Sequence, residues 1–429
     1  MRPATRPGSA SDPKRLRVLV LTNLYPPHYI GGYELVCLDV VNYLRSRGHA
    51  VTVLTSTYGL VGPQIEEGVH RTLAFPTPPM LSLGEQIRRE WQHYRAFRRA
   101  LADAAPDVIH LFNLYGVPQS LLHAAHRTGL PVVYDFSAEW LSPQCADDPW
   151  LRFWAMPAGR PHRKVAKAIV RRLLDRRLPT GRESLDLSRC YFTSKRIREI
   201  FVSKGFPVAG AAIIYRGVDL RRFHPVPRRF PDGPLRLLFA GRLTKDKGLH
   251  TVIEALGLLA KTGAEGRVSL SVAGPEQDAG YAREVHRAIQ VSRLDTWVRY
   301  LGLIPWDRMP ELYHDHEVYL LPSIFEEPFS IGLLEAMASG LPVVGTTAGG
   351  SREVLVEGEN SLTFPAGDAA ALAAQLWRVL DPNLRARLAV AGRRTVEERF
   401  PLERILSQIE AFLQDAVAQH RAGRQGGVR

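Results

Sequence analysis

Short runs of apolar and β-branched residues alternate with stretches of helical hydrophobic periodicity from Leu16 onward. This alternation is typical of an α/β protein, in which parallel βαβ units bury a sheet between helices. The pattern forms two successive series, and each series predicts one open sheet. The predicted strands are Arg17–Leu21, Ala50–Thr55, Val108–Leu111, Pro131–Tyr134 and Ala212–Tyr215 in the first series, and Leu235–Phe239, Val268–Val272, Val298–Leu301, Val318–Leu321 and Pro342–Gly345 in the second.

The boundary between the two series is rich in proline, which removes hydrogen-bond donors and disfavours helix in its neighbours. A chain of 429 residues also exceeds what one hydrophobic core usually supports. After Pro401, apolar residues at steps of three and four predict a last helix packed across the domain junction. The predicted organisation is a disordered leader (1–15), an N-terminal domain (16–222), a linker (223–234), a C-terminal domain (235–400), the last helix (401–420) and a flexible tail (421–429).

Composition narrows the cellular setting without identifying a partner. The leader lacks the apolar core of a secretory signal, and no stretch is long and apolar enough to span a membrane. Three cysteines at wide spacing, without a C-x-x-C pair, fit a reducing cytosol. A formal net charge of +13 and a pI near 9.8 favour anionic partners, namely nucleic acid, acidic lipid or phosphorylated metabolites.

The loop after the first predicted strand, TNLYPPHYIGGYE, contains a glycine pair directly before a predicted helix. It is not a dinucleotide-binding G-x-G-x-x-G motif, and no P-loop motif occurs in the chain. Gly31 and Gly32 would let backbone N–H groups approach a phosphate or a sugar at a helix N-terminus. The alternative interpretation is an ordinary turn.

Two cations follow the first strand of the second series, in the segment FAGRLTKDKG. Loops at the carboxyl edge of an open α/β sheet face the ligand crevice. Arg242 and Lys247 would therefore suit a diphosphate whose negative charge grows as it leaves. Two solvated cations beside a turn are the alternative.

The segment PSIFEEPFSIGLLEAM provides the strongest chemical signal in the sequence. Glu327 lies in a loop after a predicted buried strand, and Glu335 lies in the predicted helix that follows. Seven residues separate the two glutamates. The backbone amides at the start of that helix, from Phe329 through Ser330 and Ile331 to Gly332, favour an anion. A carboxylate beside them can accept hydrogen bonds from paired sugar hydroxyls.

Two further segments have competing interpretations. The run His314–Glu317 resembles a metal-ligand cluster, but adjacent residues on a helix point in different directions, so we predict no metal site there. The run Lys164–Leu178 places Val165, Ile169, Leu173 and Leu174 on one helical face with arginine and lysine opposite. Such a helix either covers a sheet or contacts an anionic membrane at the inner membrane face.

Taken together, these motifs resemble the retaining glycosyltransferases of sequence family four (glycosyl transferases group 1). The resemblance runs from Leu16 to about Ala418 and includes GGYE, RGHAVTVLTS, PDVIHLFNLYG, IIYRGVDLRRF, GRLTKDKG, the two glutamates and GLPVVGTTAGGSREV. It implies the GT-B fold, in which two Rossmann-like domains with doubly wound parallel sheets face a central cleft. It further implies that Arg242 and Lys247 hold the donor diphosphate, Glu327 the donor sugar and Glu335 the nucleotide ribose, with Gly32 meeting the donor from the other domain.

The sequence departs from the family pattern at two places. Ser330 stands where many members have glycine after the phenylalanine, which restricts the backbone and adds a hydroxyl. The segment VVYDFSAEW has Asp135 and Ser137 where members commonly carry a histidine near the donor sugar. We hypothesise either a donor that differs around its C6 position or an acceptor oriented by the carboxylate of Asp135 or Glu139. A local shift of register is the remaining alternative.

The resemblance implies a retaining transferase that takes sugar from a nucleotide-diphosphate donor and needs no cofactor or metal. Its acceptor would be a glycan, a lipid-linked molecule or a small molecule. A noncatalytic sugar-nucleotide-binding partner with the same fold is the alternative, and the missing histidine motivates it. We expect no nucleic-acid partner, because the chain has no recognition motif or interleaved aromatic and basic stretch.

Overall fold

Two units, each assembled from separate stretches of the chain, make up the fold. A computed structural model describes residues 15–75, 82–141, 148–157, 159, 161–175, 178–180, 185–227, 233–264 and 266–426. Unit 1 comprises 1–191, 201–212 and 406–429, and unit 2 comprises 192–200 and 213–405. Four sequence predictions fall wholly or partly outside the described residues. They concern the leader, of which only Arg15 is described, Cys145, the middle of the linker (228–232) and the last three residues of the tail.

An eight-stranded sheet organises the first part of the chain, in the order β3-β4-β2-β1-β5-β6-β7-β8. Strand β1 pairs in parallel with both β2 and β5, so the chain crosses over on each side of it. Only the short β3 runs antiparallel to its neighbour β4 among the strand pairs described. The strands are β1 (Arg17–Leu21), β2 (Ala50–Ser56), β3 (Gln64–Glu66), β4 (Val69–Leu73), β5 (Val108–Leu111), β6 (Val132–Phe136), β7 (Cys190–Phe192) and β8 (Ala212–Ile213).

Unit 2 contains a six-stranded parallel sheet in the order β11-β10-β9-β12-β13-β14. Alternate residues of its central strands enter two different hydrophobic clusters: Leu237 and Phe239 belong to one, and Leu238 belongs to the other. Both faces of the sheet are therefore buried, as expected when helices cover a parallel sheet on two sides. The strands are β9 (Leu235–Ala240), β10 (Val268–Ala273), β11 (Val298–Gly302), β12 (Val318–Leu321), β13 (Val343–Thr346) and β14 (Leu362–Phe364).

The helices connect and cover these strands. They are α1 (Gly32–Ser46), α2 (Leu83–Ala104), α3 (Ser120–His126), α4 (Pro149–Ala155), α5 (Pro161–Leu174), α6 (Lys195–Ser203), α7 (Leu249–Ala260), α8 (Ala279–Val291), α9 (Met309–His314), α10 (Ile331–Ala338), α11 (Ala369–Arg378), α12 (Pro382–Arg399) and α13 (Leu402–Gly426). All ten predicted strands are present within two residues of their expected ends. The pattern missed β3, β4, β7 and β14. Three of these strands have only three residues, and β4 contains His70, Arg71 and Thr72, so each gives a weak periodic signal.

The two units interleave along the chain more than the predicted boundaries allow. Residues 192–200 and 213–222, which the sequence assigned to the first domain, cluster with unit 2, and 406–429 clusters with unit 1. Phe223, the first residue of the predicted linker, is buried in a hydrophobic cluster of unit 2. The last helix begins close to its predicted start, and its first four residues still belong to unit 2.

A buried polar network attaches α13 to the rest of unit 1. His49 Nδ1 accepts from the Leu16 N–H at 2.9 Å, so Nε2 carries the ring proton and donates to Glu410 Oε1 at 2.9 Å. Tyr43 donates to the other carboxylate oxygen at 3.2 Å, and Arg47 lies 3.5 Å from it. Because Glu410 and His49 are both buried, each depends on the other to satisfy its hydrogen bonds.

We expect Glu410→Ala to destabilise unit 1, because it leaves the His49 ring N–H and the Tyr43 hydroxyl without their buried acceptor. The cost should be about 2–3 kcal/mol, which lowers the thermal unfolding midpoint by about 5 °C or more. Asp415→Ala is the matched control, since Asp415 is an exposed carboxylate on the same helix. Equal midpoints for the two variants would contradict the anchoring role.

Candidate functional site

Three neighbouring strands of unit 2 send their following loops to the same edge of the sheet. Strand β12 pairs in parallel with both β9 and β13, so the segments after Ala240, Leu321 and Thr346 lie side by side. The first of these segments contains Arg242 and Lys247, and the second contains Glu327. The carboxyl edge of a parallel sheet is where open α/β folds bind ligands.

Lys247 and Glu327 form a close ion pair at this edge. Lys247 Nζ lies 2.6 Å from Glu327 Oε1, and Ser323 Oγ donates to Glu327 Oε2 at 2.7 Å. Both charged side chains are mostly buried, with 17% and 11% exposure, which strengthens their attraction relative to a surface pair. The structure therefore brings together two residues that the sequence singled out separately, and Ser323 is a third that it did not.

Gly248 allows the two loops to approach this closely. Its φ is +73°, and a Cβ at this position would lie 2.0 Å from the Pro322 carbonyl oxygen. A side chain here would therefore separate the loop that carries Lys247 from the loop that carries Glu327.

Arg242 lies apart from this ion pair. Its guanidinium donates to Gln277 Oε1 at 2.9 Å and stands 3.9 Å from the Asp246 carboxylate. The side chain keeps 38% of its surface exposed. Arg242 thus adds positive charge at the sheet edge without contacting Glu327 in the structure.

Ser330 begins helix α10 rather than disturbing it. With φ −82° and ψ 114° it has an extended backbone that any residue adopts, and its Oγ accepts from the Leu333 N–H at 3.3 Å. Serine is a favoured N-cap residue for this reason. The amides of Ile331 and Gly332, in the first turn of α10, have no carbonyl partner within the helix. The departure from glycine therefore keeps a helix N-terminus at the site.

Phe329 and Glu335 are anchored by packing and by a buried hydrogen bond. The Phe329 ring lies 5.4 Å from that of Tyr215, centroid to centroid. Glu335 Oε2 accepts from Tyr313 Oη at 2.9 Å, and both residues are buried. Burial, reinforced by the negative charge of Glu335, raises the pKa of Tyr313 well above its ordinary value, so Tyr313 stays a donor.

Two glycines after β13 hold the Glu327 loop against the third segment. Gly349 has a φ of +64°, and a Cβ there would lie 2.0 Å from the Glu327 carbonyl oxygen. The Gly350 N–H donates to that same oxygen at 2.7 Å. In the sequence this glycine pair stands out only as part of the family motif GLPVVGTTAGGSREV, although paired glycines after a buried strand are a general signal of close backbone approach.

The predicted glycine loop of unit 1 serves first as a helix start. Gly31 is the N-cap of α1, and its N–H donates to Glu34 Oε2 at 3.0 Å. Gly32 is the first residue of the helix, which follows β1 in the chain. Of this pair, the Gly31 amide is thus already hydrogen-bonded to a side chain in the first turn of α1.

Asp135 lies inside unit 1 on strand β6. Its carboxylate is fully buried and accepts from Tyr191 Oη at 2.9 Å, and the same hydroxyl lies 2.9 Å from His110 Nε2. The Tyr191 ring packs against Phe412 of α13 at 5.4 Å between centroids. This environment favours a structural role for Asp135 over the acceptor-orienting role that the sequence suggested.

Ser137 and Glu139 follow β6 in the next loop. Ser137 Oγ is buried and has no hydrogen-bond partner among the described residues. The Glu139 carboxylate pairs with Lys204 Nζ and is partly exposed. Asp135 is buried and Glu139 is partly exposed, so Glu139 is the more accessible of the two carboxylates.

The His314–Glu317 run bonds to separate backbone groups. His314 Nε2 lies 2.9 Å from the His224 carbonyl, His316 Nδ1 lies 2.6 Å from the Leu312 carbonyl, and Glu317 accepts from the Arg236 N–H at 3.1 Å. Across the part of the chain that the structure describes, no group of three or more histidine, cysteine, aspartate or glutamate residues could hold a metal ion.

Comparison with known proteins gives two family-model matches. The model described as "Glycosyltransferase Family 4" matches residues 30–222, and the model described as "Glycosyl transferases group 1" matches residues 234–382. A glycogen synthase from Mycobacterium tuberculosis is 27% identical over 434 aligned positions, covering 96% of each chain.

Solved structures of glycosyltransferases share the fold. A sucrose-phosphate synthase from Thermosynechococcus elongatus superposes with a TM-score of 0.71 at 20% identity, covering 94% of this chain and 99% of the other. Anabaena HepE in complex with UDP and glucose superposes with a TM-score of 0.66 at 20% identity, covering 94% and 100%. Together with the two parallel-sheet units, these similarities confirm the predicted GT-B fold.

We expect Gly349→Ala to destabilise unit 2 more than Gly358→Ala. Both glycines have positive φ, at +64° and +72°, but a Cβ at Gly358 meets nothing within 4 Å. The backbone cost of about 1–2 kcal/mol is shared, so any difference measures the overlap with the Glu327 carbonyl. Thermal unfolding should show a midpoint several degrees lower for Gly349→Ala, whereas equal shifts would contradict the close approach.

Proposed function

Because the chain belongs to the group 1, family 4 glycosyltransferases, we propose that it transfers a sugar from a nucleotide-diphosphate donor with retention of anomeric configuration. The Lys247–Glu327 pair carries this proposal. It places a cation suited to a diphosphate directly beside a carboxylate suited to sugar hydroxyls. Such a pair could bind the diphosphate and the sugar on either side of the bond that breaks between them.

The reaction requires stabilisation of the departing nucleotide diphosphate. Lys247, Arg242 and the first-turn amides of α10 would interact with the phosphates and would bind more strongly as negative charge develops on the leaving oxygen. The bond from the sugar's anomeric carbon to that oxygen breaks, and the acceptor oxygen bonds to the same face of the carbon. The leaving phosphate oxygen then takes the proton of the acceptor hydroxyl.

The two glutamates would divide the rest of the donor between them. Glu327 would accept from sugar hydroxyls, and Glu335 would accept from the nucleotide ribose. Ser323 and Tyr313 support these assignments, because each already donates to one of the two carboxylates and fixes its orientation. UDP-glucose is the first donor to test, since HepE, which shares the fold, is solved with UDP-glucose.

The acceptor is proposed to bind unit 1. A glycan, a lipid-linked molecule or a small molecule fits this proposal, with Glu139 as the carboxylate available to orient a hydroxyl. A donor that differs around C6 is the second explanation for the absent histidine. A noncatalytic sugar-nucleotide-binding protein is the alternative function, and measuring hydrolysis or transfer of the bound donor distinguishes it from the enzyme.

We expect Arg242→Ala and Lys247→Ala each to weaken nucleotide-diphosphate binding by roughly 1.5–3 kcal/mol, the range of one hydrogen bond to a charged group. Calorimetric titration with UDP and with GDP measures the effect. Lys245→Ala is the matched control, because Lys245 is an exposed cation in the same short 3₁₀ helix (Lys245–Lys247). Unchanged affinity in both Arg242→Ala and Lys247→Ala would remove the diphosphate assignment.

The protein is further proposed to be cytosolic and to contact anionic membrane through α5. Val165, Ile169 and Leu173 are 55–68% exposed along this helix, and Lys164 and Arg172 are exposed beside them. An exposed apolar stripe flanked by cations is what an interfacial helix presents to an anionic bilayer. Among the described residues, no helix combines the length and the apolar character needed to cross a membrane.

We expect the protein to sediment with phosphatidylglycerol-containing vesicles but not with phosphatidylcholine vesicles. Binding should fall as the salt concentration rises to about 0.5 M, because salt screens the cations of α5. Ile169→Ser with Leu173→Ser should reduce binding, whereas Val291→Ser, at an exposed apolar position on α8, should not. Equal sedimentation with both vesicle types would leave α5 without a membrane role.

A further inference from the structure

Residues 192–200 form a separate segment of unit 2, and an arginine in this segment makes a two-point contact with Glu326, the neighbour of Glu327. Arg196, in the first turn of α6, donates from Nε to Glu326 Oε2 at 2.9 Å and from a terminal nitrogen to Glu326 Oε1 at 3.0 Å. Bidentate pairs of this kind fix the orientation of both planar groups. The hydrogen bonds from Arg196 hold the pKa of Glu326 below its ordinary value.

Glu326 also holds the third loop of the site. Its Oε2 accepts from the Gly349 N–H at 2.9 Å, one residue before the Gly350 N–H that donates to the Glu327 carbonyl. Glu326 and Glu327 therefore turn in different directions: the first faces Arg196 and Gly349, and the second faces Lys247 and Ser323. A rotation of the peptide between them would break both sets of contacts.

The backbone of Arg196 is itself anchored within unit 2. The N–H groups of Lys195 and Arg196 donate to the Glu353 carboxylate at 3.2 and 3.1 Å, as a capping carboxylate does at a helix N-terminus. Tyr215 Oη donates to the same carboxylate at 2.9 Å. The arginine thus extends from a fixed helix end to the glutamate loop, and its Cα cannot follow a displaced loop without losing these bonds.

We propose that Arg196 is a positioning residue that holds Glu327 in its donor-binding orientation through Glu326. The inference rests on the proposed function for the role of Glu327, but the restraint of the loop can be tested without any donor. Sequence position gives no hint of it, since Arg196 precedes Glu326 by 130 residues.

Hydrogen exchange of the protein without ligand tests the restraint. Arg196→Met should speed exchange of the Glu327, Gly349 and Gly350 amides by about tenfold, because their acceptors depend on the loop conformation. Lys195→Met is the matched control, since it removes an exposed cation from the same helix turn and leaves the Glu353 contact to its backbone. Unchanged exchange of these amides in Arg196→Met would overturn the proposal.

Ligand binding tests the consequence for the donor sugar. Arg196→Met should weaken UDP-glucose binding about tenfold while UDP binding changes less than about twofold. The reason is that, of the two parts of the donor, only the sugar would contact Glu327. Glu326→Gln should have a similar effect, and the double variant should be no worse than either single one. Glu327→Gln should lose more than both. Equal losses for UDP and UDP-glucose would indicate general destabilisation and overturn the positioning role.

The hydrogen-exchange and ligand-binding experiments together distinguish a failure of this inference from a failure of the proposed function. If the parent protein binds neither UDP-glucose nor GDP-mannose while Arg196→Met still frees the loop amides, the donor assignment fails and the restraint stands. If the parent binds UDP-glucose but Arg196→Met changes neither exchange nor affinity, the proposed function stands and the positioning role fails.

Discussion

The absence of side chains at Gly349 and Gly350 is the constraint on which the candidate site depends. It lets one backbone lie directly against another, so that the Gly350 N–H reaches the Glu327 carbonyl. That contact holds the backbone of the loop from which the Glu327 side chain reaches Lys247, while the Glu326 side chain pairs with Arg196. The pairing of β12 with β13 makes the approach possible, because parallel neighbours deliver their loops to the same edge.

In unit 1 a different constraint acts, namely that buried polar groups need hydrogen-bond partners. His49 and Glu410 join the start of the sheet to the last helix, and Tyr191 links Asp135 to His110 beneath that helix. These contacts stabilise an arrangement and do not offer free donors to a substrate. In unit 2, by contrast, the Arg242 side chain remains partly exposed at the sheet edge, where an anion could reach it.

Hydrophobic periodicity predicted both sheets and most strand limits, because buried parallel strands are long enough to show it. It could not predict the side that Asp135 faces, since β6 is buried on both faces and its pattern does not alternate. Spacing selected Glu327 and Glu335, and the fold brings Glu327 to Lys247 across 80 residues. The partnership of Arg196 with Glu326 depends on which segments belong to unit 2, and that discontinuity leaves no local trace in the sequence.

The interleaving of the two units limits how the protein can be divided. A fragment ending at 222 would contain every strand of the eight-stranded sheet but would lack Leu406–Arg429, and with it Glu410. A fragment beginning at 235 would keep the six-stranded sheet but lose 192–200. Neither fragment contains all of its unit, because the chain passes between the two units four times, at 191/192, 200/201, 212/213 and 405/406. A domain exchange with a relative that keeps unit 1 whole must therefore transfer 406–429, most of the last helix, together with the N-terminal half.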